Sequence, residues 1–112
     1  MNRLLKYILA LTGFATYAAA SAQVNTEQVM RIGQNALYFE DYMLSIQYFN
    51  QAIQAKPYLA QPYLMRAIAK INLDDFAGAE ADAAKAIDLN PFLTDAWEVR
   101  GVARQNLDNN DG

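Results

Sequence analysis

The sequence has no cysteine and no histidine among its 112 residues. Without cysteine there is no disulfide, no thiol nucleophile, no thiolate metal site and no lipidated thiol anchor. Without histidine the commonest general base and the commonest metal ligand are also gone. Serine occurs once after residue 22, at Ser45, and acyl transfer would require an exposed hydroxyl, a base and an oxyanion hole beside it. Nothing in the pattern supplies them. Two carboxylate pairs, Glu40-Asp41 and Asp74-Asp75, fall where one helical pattern stops and the next begins, so they read as helix caps rather than as acid and base. The expectation is a protein that is not an enzyme, with no metal and no cofactor.

Positive charge is scarce as well. Arg3 and Lys6 precede an apolar run from Tyr7 to Ala20, and Ala20-Ser21-Ala22 places small residues where signal peptidase reads, so residues 1–22 are expected to be an export signal cleaved after Ala22. The apolar run is shorter than the roughly 20 residues of a spanning helix, which argues against a retained membrane anchor. From Gln23 onward, 7 Lys and Arg stand against 12 Asp and Glu, a net charge of −5. That sign disfavours nucleic acid and anionic lipid as partners. The expected location is periplasmic or extracellular, with no membrane association after cleavage.

What the chain does have is a period. Displaced by 34 residues, Asp41 falls on Asp75, Tyr42 on Phe76, Ala52 on Ala86, Ile53 on Ile87 and Pro57 on Pro91. At the same offset Tyr63 falls on Trp97, Arg66 on Arg100, Ala67 on Gly101, Asn72 on Asn106 and Asp74 on Asp108. A period of this length, punctuated helix, turn, helix, with an aromatic followed four residues on by a small residue, resembles the tetratricopeptide repeat family. The resemblance covers roughly residues 26–107. It implies an all-α fold, a right-handed α-solenoid of stacked antiparallel helix pairs, with repeats at about 26–59 and 60–93 and an incomplete one at 94–107.

Along the chain, Asn25-Thr26 opens a helical pattern that runs to about Tyr38, and Tyr42 to Ala55 carries Tyr42, Ser45, Ile46, Phe49, Ala52 and Ile53 on one face. Pro57 stops it. The second pair begins near Ala60, with Pro62 tolerated in a first turn, and places Ala83 where the first pair has Phe49, so looser filling is expected there. Thr94 is the expected cap of a last helix ending near Leu107, and residues 108–112 are a polar tail or a truncation point. A calcium loop there fails on the spacing of its glycine and glutamate. Trp97, Val99, Val102 and Ala103 make that last helix more apolar than a terminal one should be, so the chain continues past Gly112 or another chain covers this end.

The resemblance also implies a working surface. In the family the first helices of successive repeats line a concave face, and by position its residues are Met30, Gln34 and Leu37; Gln61, Leu64, Ile68 and Ile71; and Asp95, Glu98, Val102 and Gln105. A protein or peptide partner is expected to bury an apolar segment against Leu64, Ile68 and Ile71, with Asp95 and Glu98 selecting against acidic partners. Chaperone-binding members grip a C-terminal carboxylate with a Lys and Asn pattern, and Met30 and Gln34 stand where the first repeat would supply it, so that activity is not expected. Arg66, with Asp82 as its candidate partner, reads as packing within the repeat. The alternative to a binding module is a structural segment that builds a homo-oligomer or holds together a longer exported chain.

Overall fold

The computed structural model describes residues 25–111, and the expected signal segment and its cleavage site lie outside them. Five helices follow one another: α1 (Thr26–Tyr38), α2 (Tyr42–Ala55), α3 (Ala60–Asn72), α4 (Phe76–Leu89) and α5 (Thr94–Asp111). They form two antiparallel pairs, α1 with α2 and α3 with α4, and α5 stacks on the second pair. Each helix packs on the next, and α3 also touches α1 and α5, whereas the backbones of α2 and α4 do not approach each other. The stack therefore curves with α1, α3 and α5 on the inside.

The ends of the helices follow from individual side chains. Asn25 accepts from the Gln28 amide at 3.2 Å, Asp41 from the Leu44 amide at 3.3 Å, and Asp75 from the Gly78 amide at 3.0 Å. Each satisfies one backbone donor that a first turn would otherwise leave open. Both carboxylate pairs are thus caps. Their first members, Glu40 and Asp74, turn the chain with left-handed φ values of 65° and 61°. Thr94 differs from expectation: it is the first helical residue rather than a cap, with the Ala96 amide donating to the Leu93 carbonyl at 3.1 Å. Helix α5 also runs past Leu107 to Asp111, so most of the expected tail is helical.

Repeated sequence gives repeated contacts. The Tyr63 hydroxyl donates to the Pro57 carbonyl at 3.0 Å, and 34 residues on the Trp97 indole N–H donates to the Pro91 carbonyl at 2.9 Å. Asn72 and Asn106 likewise each donate to a carbonyl one turn back, at 2.9 and 2.8 Å. The core changes in character along the stack. In the first pair the fully buried Phe49 ring lies over Gly33, so close that a Cβ there would stand 2.6 Å from Cε1. In the second pair Ala67, Ala79 and Ala83, with Ala103 of α5, have no exposed surface. The expected looseness at Ala83 is absent, because small residues let the helices close up on one another.

Candidate peptide-binding face

The inner face offers two depressions and a buried strip between them. The larger, about 540 Å³, lies between α1 and the start of α3 and is floored by the two loops that lead into α3 and α5. Met30, Gln34 and Gln61, which the family resemblance put on the concave face, line it. So do Arg31 and Glu27 of α1, Lys56 and Pro62 beside the first loop, and Asn90 and Leu93 of the second. The smaller, about 230 Å³, lies between α3 and α5, where Ile68, Ile71, Glu98 and Val102 meet Asn72 and Val99.

The remaining expected residues are placed otherwise. Leu64 is 2% exposed, packed with Tyr63, Ala86, Ile87 and Ala96, and is not available to a partner. A single helical wheel assigns it to solvent because it allows α3 one packed side, whereas α3 is packed on several. Leu37 is half-buried and, like the exposed Asp95 and Gln105, lines neither depression. The expected acidic rim is therefore reduced to Glu98 at the smaller groove. The larger cleft instead has two cations, Arg31 and Lys56, against one carboxylate, Glu27. Lys56 and Asn90 were not singled out from sequence, yet they occupy the same position one period apart, each just before a proline. The recurrence of the loops was the signal that would have found them.

Behind the inner face lies a polar cluster that fixes α3. Asp82 of α4, only 5% exposed, accepts from Arg66 Nε at 2.7 Å and Nη2 at 2.6 Å, and forms an ion pair with Lys70 Nζ at 2.9 Å. Arg66 also donates to Asn50 of α2 at 2.8 Å and lies against the Tyr63 ring. The Asp82 hydrogen bonds, opposed in part by burial, raise the Arg66 pKa above its ordinary value. All of this is internal to the stack. Ser45, too, is spent on structure: it is fully buried and its hydroxyl donates to the Tyr42 carbonyl at 2.7 Å. Among the described residues no group of three acidic side chains converges where it could hold a metal ion.

Comparison with solved structures decides the fold. The first TPR domain of Spaghetti (RPAP3), bound to the HSP90 peptide SRMEEVD, matches with a TM-score of 0.72 at 30% identity, over 73% of this chain and 65% of that one. The Arabidopsis OM64 TPR domain matches with a TM-score of 0.74 at 27% identity, over 77% of this chain and 71% of that one. The fold is that of a tetratricopeptide repeat domain. A third neighbour, the TPR2B domain of yeast Sti1 in complex with an Hsp70 peptide, has a TM-score of 0.72 and 26% identity, over 73% of this chain and 66% of that one. No family model matches the sequence, and no curated protein does. In this tetratricopeptide array the right-handed stacking of helix pairs puts α1, α3 and α5 on the concave side, and both depressions open there.

Proposed function

We propose that the chain is a protein-interaction module that holds a linear peptide segment of a partner on its concave face. The observation that carries this reading is the 540 Å³ cleft between α1 and α3, within the usual range for ligand sites. Two of the solved neighbours hold chaperone peptides, which supports peptide recognition as a use of the fold. Chemistry along the face sets the partner's polarity. Arg31 and Lys56, with Gln34 and Gln61 as donors, take a segment that is polar and carries a carboxylate, while Met30 covers its stem. The groove at Ile68, Ile71 and Val102 takes an apolar side chain further along. Export of the chain, with residues 1–22 removed, is part of the same proposal and rests on the basic head, apolar run and small residues at Ala20 and Ala22.

The test is selection of peptides from a displayed library on the parent chain, followed by calorimetry of the enriched peptide. A Met30→Glu, Gln61→Glu double variant, checked for helicity by circular dichroism, should bind that peptide about tenfold or more weakly. Equal affinity for parent and variant would show that the peptide sits elsewhere.

A further inference from the structure

Two exposed rings recur at the 34-residue offset, and packing accounts for neither. Tyr58 is 66% exposed and Phe92 is 90% exposed. Each is the third residue of a four-residue turn, closed by the Leu59 amide on the Lys56 carbonyl at 3.2 Å in the first loop and by the Leu93 amide on the Asn90 carbonyl at 3.3 Å in the second. Pro57 and Pro91 hold the second position, where a fixed φ suits such a turn. The carbonyls of the same two prolines accept from Tyr63 and Trp97, so the backbone just before each ring is tied to the helix that follows. The ends of the turns, Lys56 with Leu59 and Asn90 with Leu93, line the larger cleft, whereas the rings stand outside it. Tyr58 lies between two complete helix pairs and is exposed all the same, so its exposure belongs to the repeat and not to an end of the stack.

We propose that these two loops form a docking edge for a proline-rich segment of a partner protein in the polyproline II conformation. Spacing carries the assignment. The starts of α3 and α5 share one apolar cluster, in which Tyr63 and Leu64 meet Leu93 and Ala96, and packed helix axes lie about 8–10 Å apart. Tyr58 and Phe92 stand at the same place before Ala60 and Thr94, the first residues of those helices, so the two rings are one such step apart. A polyproline II helix advances about 9 Å in each turn of three residues, so prolines at i and i+3 meet the two rings in succession. The segment has no internal hydrogen bonds and presents bare carbonyls, for which the Tyr58 hydroxyl is a donor. Its conformation is set before binding, so contact with two separate rings orders little further chain. A single nucleic-acid strand could also stack on rings, but the net charge of −5 from Gln23 onward repels it. This edge is separate from the concave cleft and does not depend on how the cleft is used.

The probe is a fluorescein-labelled oligoproline peptide, titrated with the full chain and followed by anisotropy. It should bind saturably, and a glycine-serine peptide of the same length should bind about tenfold or more weakly. Tyr58→Ala and Phe92→Ala should each weaken oligoproline binding by about tenfold or more, with Tm and helical circular dichroism unchanged because both rings are exposed. Tyr58→Phe, which keeps the ring, should retain most of the binding. Absence of saturation at millimolar concentration, or equal binding to the parent and to either alanine variant, overturns the proposal. So does loss of binding in the Met30→Glu, Gln61→Glu double variant with both alanine variants unaffected, because the peptide then sits in the cleft. A parent dimer, seen by light scattering, that Tyr58→Ala or Phe92→Ala abolishes also overturns it, since the occupant is then a second copy.

Discussion

Replacing Arg66 by alanine separates structure from binding. The change removes two charge-assisted hydrogen bonds to Asp82, at 2.6 and 2.7 Å, and one bond to Asn50 at 2.8 Å. Bonds of the first kind are worth about 1.5–3 kcal/mol each, and breaking one side of a buried pair costs about 3–5 kcal/mol. Two features reduce that figure. Asp82 keeps Lys70 at 2.9 Å, and the Arg66 side chain is itself 19% exposed, so solvent screens part of the attraction. The expected loss is about 2–3 kcal/mol, which for a domain of this size lowers Tm by roughly 10–20 °C. Because its pKa is raised on folding, the contribution of Arg66 is present at all pH values below the ordinary arginine range and is lost only above it. The gap between parent and variant should accordingly stay constant from neutral pH to about pH 10. Urea unfolding followed by circular dichroism measures it. A loss below about 0.5 kcal/mol, accompanied by weaker peptide binding, would refute the argument and make Arg66 a ligand contact.

The glycines of the first and last repeats should respond in opposite ways. Gly33→Ala should destabilise the domain by about 1–3 kcal/mol, since its Cβ meets the Phe49 ring, whereas Gly101→Ala should stabilise it by about 0.5–1 kcal/mol in denaturant titrations. Asp75→Ala should cost about 1 kcal/mol through loss of the Gly78 cap, and replacement of Gly78 should cost as well, because a Cβ there collides with the Asp75 carboxylate. Leu64→Glu should abolish cooperative thermal unfolding, since it places a charge in a site that is 2% exposed. A folded, cooperative Leu64→Glu chain would return that residue to the binding face.

The sequence disclosed most where chemistry recurs at the 34-residue offset. Asp41 and Asp75 as caps, and Arg66 with Asp82, follow from spacing and charge, and the structure places each as expected. The helix ends and the binding face were less legible, for separate reasons. Nothing in Asp108-Asn-Asn-Asp forbids another turn of helix, so the end of α5 was not encoded as a stop. Leu64 was misplaced because helical phase shows which residues share a side and not how many sides are packed. Arg31, Lys56 and Asn90 reach the cleft through α1 and the loops, and depend on how consecutive pairs are tilted. That tilt is a property of the whole stack.

Trp97 is the chain's one tryptophan, half exposed, with its indole N–H tied to the Pro91 carbonyl. Its emission is therefore an optical readout of a single place in the molecule, free of any competing fluorophore of the same kind. Anything that settles against this side of α5 would strip water from the ring and move the emission to shorter wavelength. One cuvette can then report whether the surroundings of that ring have changed, with no label attached.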